Sequence, residues 1–106
     1  MSPTNEEFMA FYKEYEEACR NRDSEFLKKI LPADIPDDEF AFVLDISQQS
    51  VLAIDASGVE PTIEQDGNQF NMVYEGDLGD GMTSLTVDFY FSDGKWLKYN
   101  PEGEQA

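Results

Sequence analysis

A chain of 106 residues with 41% apolar residues and fourteen aromatics has the material for one folded core and is too short for two domains. Its charge is one-sided: 23 Asp and Glu stand against 7 Lys and Arg, there is no His, and the formal net charge is −16. That balance repels phosphate backbones and excludes ordinary nucleic-acid binding, and the missing histidine excludes mechanisms built on Ser-His or Cys-His pairs.

The charge is unevenly spread. Residues 1–29 carry seven acids and five bases, whereas residues 30–94 carry fourteen acids and no Lys or Arg. The acidity belongs to the middle of the chain and its strands, where no neighbouring base neutralises it and a basic protein surface would be attracted. No apolar run approaches the ~20 residues that span a bilayer, and Met1-Ser2-Pro3-Thr4 lacks the basic and apolar regions of a signal peptide. Cytoplasmic residence is the default; secretion or lipid anchoring stays open, since a trimmed leader would leave no trace.

Met1–Pro3 and Pro101–Ala106 read as loose ends. Thr4 with Glu7 three residues later forms a capping-box signature, so a helix begins there. Phe8, Phe11, Tyr12, Tyr15, Ala18 and Cys19 then recur at helical spacing along one stripe. Cys19 has no partner for an internal disulfide and reads as a buried thiol. Asp23 is placed to cap a second helix with Phe26, Leu27, Ile30 and Leu31 inward, and Pro32 stops it. Asp37 to Gln49 is ambiguous. Phe40, Phe42, Leu44 and Ile46 alternate like a strand, while Phe40, Val43, Leu44 and Ser47 nearly fit a helix whose first turn would hold Asp37, Asp38 and Glu39.

From Val51 the period changes to two. Val51–Ala56, Val59–Gln65, Gln69–Glu75, Thr83–Phe91 and Lys95–Tyr99 read as strands, divided by Ser57-Gly58, Asp66-Gly67-Asn68, Gly76–Gly81 and Asp93-Gly94 as turns. In the longest, Leu85, Val87, Phe89 and Phe91 share one face, with Thr86, Asp88 and Tyr90 on the other. The expected architecture is one α+β domain: two or three N-terminal helices on a four- to five-stranded antiparallel sheet.

Two passages carry a family resemblance. Tyr15-Glu16-Glu17-Ala18-Cys19-Arg20-Asn21-Arg22-Asp23-Ser24-Glu25-Phe26-Leu27 is similar to the helix, polar break, aspartate and second helix of the NTF2-like group, and Phe89-Tyr90-Phe91-Ser92-Asp93-Gly94-Lys95-Trp96-Leu97 resembles its final hairpin. The resemblance implies the cystatin-like fold, with helices lying in the hollow of a curved sheet. A third helix often follows the second in small members, which tips Asp37–Gln49 toward helix. It implies no single activity, since the group contains isomerases, hydratases, ligand carriers and protein-association domains.

Asp88 beside Tyr90 on one strand face is a candidate carboxylate base with a phenol, able to abstract a proton α to a carbonyl; the alternation makes a solvated strand aspartate the simpler reading. Tyr15 and Tyr74, with Phe11, Met72, Phe89 and Trp96, are candidates to line a pocket for a small apolar ligand, or to fill the core. Asp77 and Asp80 lack the spacing of a calcium loop, and there is no P-loop, GxGxxG or His-Cys cluster, so no metal or cofactor is expected. The resulting expectation is a non-catalytic binding module. Either its acidic surface recognises a basic protein or its cone holds a small apolar ligand, and a carboxylate-and-tyrosine isomerase or hydratase is the alternative. A homodimer stays open.

Overall fold

The computed structural model describes residues 3–101, so most of the two segments read as loose ends lies outside the described residues. Helices α1 (Asn5–Asn21), α2 (Ser24–Lys29) and α3 (Asp37–Ser57) are followed by strands β1 (Thr62–Asp66), β2 (Gln69–Glu75), β3 (Ser84–Ser92) and β4 (Lys95–Leu97). The strands form one antiparallel meander in the order β1-β2-β3-β4. This is the expected α+β architecture, with three helices and four strands.

The helix starts follow their local chemistry. Thr4 and Glu7 close the capping box reciprocally, the Glu7 amide donating to Thr4 Oγ1 at 3.1 Å and the Thr4 amide to Glu7 Oε1 at 2.7 Å. Arg22 ends α1 in the left-handed conformation, and Asp23 caps α2 by accepting from the Phe26 amide at 3.1 Å. Helix α3 has no such side-chain cap at Pro36 and begins instead on three acids, Asp37, Asp38 and Glu39, which suit the positive end of its dipole.

The segment Val51–Ala56, expected as a strand, is the last third of α3. Phe40, Ser47, Val51 and Ile54 are buried at positions separated by seven, four and three residues, so one inward stripe runs the length of the helix. Ser57-Gly58, expected as a hairpin turn, is the end of that helix: Gly58 takes φ 70°, and its amide donates to the Ile54 carbonyl. The change of period falls near residue 58 rather than 50. The first strand accordingly starts at Thr62, not Val59, and the last ends at Leu97, not Tyr99.

Asp93-Gly94 forms the β3–β4 turn with positive φ at both residues, 52° and 76°, as a two-residue type I′ hairpin requires. Beyond β4 the Lys98 amide donates to the Ile30 carbonyl at 2.8 Å, tying the chain to the end of α2.

One apolar cluster joins all three helices to the sheet. Phe70 pairs with Phe89 and Met72 with Val87 on the helix-facing side of the sheet. There Phe8 of α1 meets both Phe70 and Phe89, with ring centroids 5.2 and 5.7 Å apart, and Tyr15 meets Phe89 edge-on at 4.9 Å. Besides this shared core, polar contacts from the last turn of α1 fasten it to α3. Arg20 grips Asp55 with two bonds of 2.8 Å, Arg22 reaches Asp45 at 2.6 Å, and the Gln48 amide donates to the Arg20 carbonyl at 2.8 Å. Two acids of the base-free stretch are thus neutralised after all, by arginines that folding brings from outside it.

Candidate functional site

The residues singled out from the sequence separate into three places. Asp88 and Tyr90 lie on the sheet face turned away from the helices, in register with Asn71 and Gln69. With its amide nitrogen turned toward β3, Asn71 donates to Asp88 Oδ1 at 3.0 Å. The carboxylate therefore meets a strand neighbour's amide, apart from the tyrosines of the interior.

Tyr15, Met72, Tyr74 and Phe89 form a second group. They are 5, 0, 1 and 0% exposed, and the rings of Phe8, Tyr12 and Phe70 occupy the space among them. Tyr12 and Tyr74 share a buried hydroxyl–hydroxyl bond of 2.7 Å. The Glu16 carboxyl lies close enough to Tyr74 for its charge to bear on the phenol. Desolvation, with the nearby Glu16 charge, leaves the Tyr74 phenol pushed up to about 12, although the bond from Tyr12 works in the opposite direction. Burial raises Tyr12 and Tyr15 further, and it also raises the half-buried Glu16 carboxyl.

Two polar residues enter this interior without a sequence signal pointing to a site. Ser47 is buried on the inner stripe of α3 beside Tyr15 and Cys19. Lys98 sits with its Nζ 5.0 Å from the Phe89 ring centroid and 5.6 Å from that of Tyr15. Burial lowers the lysine, partly offset by the charge of Asp88. The lysine stands one residue beyond the end of β4, where its backbone is held by the bond from its amide to the Ile30 carbonyl. Burial also raises the Cys19 thiol, which keeps it protonated and unreactive.

Phe11 and Trp96 make the third group. They pack on the edge of the core against Phe8, Phe70 and Phe89, and on their other side line a groove with Phe26, Lys29, Ile30 and Lys95 on the flank of α1, α2 and β4.

The most exposed large apolar side chains lie elsewhere. On α3, Phe42 is 65%, Leu52 51% and Ile46 44% exposed, the three large hydrophobic residues so placed among those described. Phe42, Ile46, Gln49 and Ala53 follow one another at i, i+4, i+7 and i+11, so the outward face of α3 carries the apolar pair Phe42 and Ile46 one turn apart, with Gln49 between Ile46 and Ala53 and Leu52 further round the helix. Ile46, Gln49, Ser50 and Ala53 form one wall of a groove of about 330 Å³ whose other wall is the β2–β3 loop, through Leu78, Gly79, Asp80 and Met82. Leu78, 4% exposed, anchors that loop, while the Leu78 amide to Met82 carbonyl bond of 2.9 Å closes its turn. Asp77 accepts from the Gly79 amide at 3.0 Å, so its carboxylate shapes the loop. Among the described residues no group of three or more acids, cysteines or histidines is placed to hold a metal ion, and no helix is long and apolar enough to cross a membrane.

These features define an α+β domain whose interior is packed with aromatic rings and whose third helix presents an exposed apolar pair rimmed by acids. No family model, curated protein or solved structure matches the chain.

Proposed function

We propose that this domain is a non-catalytic binding module whose docking face is the outer side of α3 with the β2–β3 loop, and whose partner is a basic amphipathic helix of another protein. The observation that carries the reading is the exposure of Phe42 and Ile46, one turn apart on the outer face of α3, where Ile46 borders the groove. An apolar pair of this kind beside a groove, rimmed by polar residues, is the ordinary form of a protein interaction site. Asp80 lines the groove and Asp38, Glu39 and Asp77 are exposed. Charge selects the partner: two copies of a chain with net charge −16 repel, whereas lysines and arginines flanking an apolar helix face complement the rim. The order of helices and the closing Asp-Gly hairpin further supports placing the chain in the NTF2-like group.

A small apolar ligand in the cone is less well supported, because aromatic rings fill it. A base–phenol pair at Asp88 and Tyr90 would have to work on the sheet's uncovered face, with nothing to exclude water.

The test is titration with an amphipathic Leu/Lys peptide about four turns long, with a Leu/Glu peptide of the same pattern as control. The Leu/Lys peptide should bind, and binding should weaken steeply as the screening length falls from about 30 Å at 0.01 M salt to about 8 Å at 0.15 M. Phe42→Ser with Ile46→Ser should weaken it about tenfold or more. Equal binding of the Leu/Glu peptide, or indifference to the double substitution, would overturn the assignment.

A further inference from the structure

We infer that the groove between α1, α2 and β4 is a binding site for a small organic anion with a flat apolar body, of the aryl-carboxylate class. Its walls are Phe11, Phe26, Ile30 and Trp96, its rim carries Lys29 and Lys95, and its volume is about 430 Å³, within the range of small-molecule sites.

The apolar part is ordered before any ligand arrives. Phe11 stacks on Trp96 with centroids 5.4 Å apart and planes inclined by 17°, and on Phe26 at 6.1 Å and 23°. Phe70 at 5.1 Å and Phe91 at 4.8 Å meet Trp96 by their edges and hold the indole in place. A flat ring therefore meets surfaces already aligned, which removes part of the ordering cost of binding.

The choice of an anion rests on what the other cations do. Arg20 and Arg22 are taken up by Asp55 and Asp45, Lys28 lies over the Phe40 ring at 5.3 Å, and Lys98 lies over Phe89 and Tyr15. Lys13, also without an ion pair or ring partner, lines a separate hollow of α1 with Glu6; the remaining two, Lys29 and Lys95, have no ion-pair or ring partner among the described residues, although the chain holds 23 acids. Both stand at the same apolar groove. A neutral aromatic would leave these ammonium groups unused, and a cation would be repelled by them. A carboxylate on an aromatic body answers both the rings and the lysines.

Trp96 is the single tryptophan, so its indole N–H gives one cross-peak in a ¹H–¹⁵N spectrum that reports on this groove alone. The probe is 2-naphthoate, with 2-naphthamide as the uncharged analogue of the same shape. Naphthoate should shift the Trp96 peak saturably with Kd of about 1 mM or tighter, as a ligand of that size allows, and naphthamide should bind several-fold more weakly. Lys29→Gln and Lys95→Gln should each weaken naphthoate by about three- to five-fold while leaving naphthamide unchanged. Both lysines are exposed, so the remaining cross-peaks should keep their positions and show the fold intact. No saturable shift at 10 mM probe (about ten times the expected Kd), equal affinity for the amide, or no effect of either substitution would overturn the site. So would a concentration-dependent dimer that Lys95→Gln dissociates, since the groove would then be occupied by a second copy of the chain.

Discussion

Helices α1 and α3 pack against each other and against the same core, yet they differ in where their apolar residues go. In α1 the buried residues Phe8, Tyr12, Tyr15, Ala18 and Cys19 make one stripe, and Glu6, Glu7, Lys13, Glu14 and Glu17 are exposed beside them. In α3 an equally good inner stripe, Phe40 to Ile54, is matched by Phe42, Ile46 and Leu52 facing out. A helix apolar on one side is accounted for by the core it covers. A helix apolar on both sides is accounted for on one side only, and its outer residues serve something other than the stability of the fold.

That contrast is sharpest in the energetic effect of one residue type at two positions. Phe8, fully buried on α1, should cost about 3–5 kcal/mol when replaced by Ala, while Phe42→Ala on α3 should stay within about 0.5 kcal/mol. Urea unfolding measures both. A loss above about 2 kcal/mol at Phe42 would make the outer face of α3 part of the fold and remove it as a docking surface.

The next effect separates the helices by pH. Tyr12 and Tyr15 of α1 and their neighbour Tyr74 have folded-state pKa values raised above the ordinary 10.0, with Tyr74 at about 12. A raised folded value means that the folded protein binds more protons than the unfolded chain above pH 10, so stability is fully present below that pH and is lost as pH rises through the folded values. For Tyr74 alone the two-unit shift corresponds to a loss on the order of 3 kcal/mol. Phenolate absorbance and helical circular dichroism should therefore change together in an alkaline titration. Ionisation of these three phenols with the native spectrum retained would mean that the α1 interior admits water.

The smallest effect concerns the helix starts. Thr4→Ala removes the reciprocal cap of α1 and should lower stability by about 1 kcal/mol. Helix α3 has no cap side chain to remove, and its start depends on the charges of its first turn. Replacing Asp37 and Asp38 by Asn should therefore reduce stability by about 0.5–1 kcal/mol at low salt and much less at high salt, whereas the Thr4→Ala cost should barely depend on salt. Melting curves at the two salt concentrations distinguish the cases, and an equal salt response for both would refute the contrast.

The outer residues of α3 also explain what was hard to read in the sequence. Phe42 and Ile46 supplied the odd members of the strand-like alternation at Phe40–Ile46, and together with Leu52 they blurred the 3.6-residue period. Ser-Gly is equally good chemistry for a hairpin and for a helix end, so Ser57-Gly58 gave no warning that Val51–Ala56 was helical. Candidate site residues divided in the same way: Tyr15, Met72, Tyr74 and Phe89 were legible as inward-facing from their periods. That Phe11 and Trp96 open onto a separate groove depends on where α2 lies against β4.

Local chemistry in the sequence determined the helix α1 with its cap, the Asp23 start of α2, strands β2 and β3 and the Asp-Gly turn, because each is decided by residues within a few positions of one another. Tertiary structure decided the rest. Whether Val51–Ala56 extends a helix depends on a core face for Val51 and Ile54 to enter; the pairing of Asp55 and Asp45 with Arg20 and Arg22 depends on helices packed side by side. The exposure of Phe42, Ile46 and Leu52 has the same origin, since an apolar side chain does not carry in its own sequence the information of which side of its helix the core will occupy.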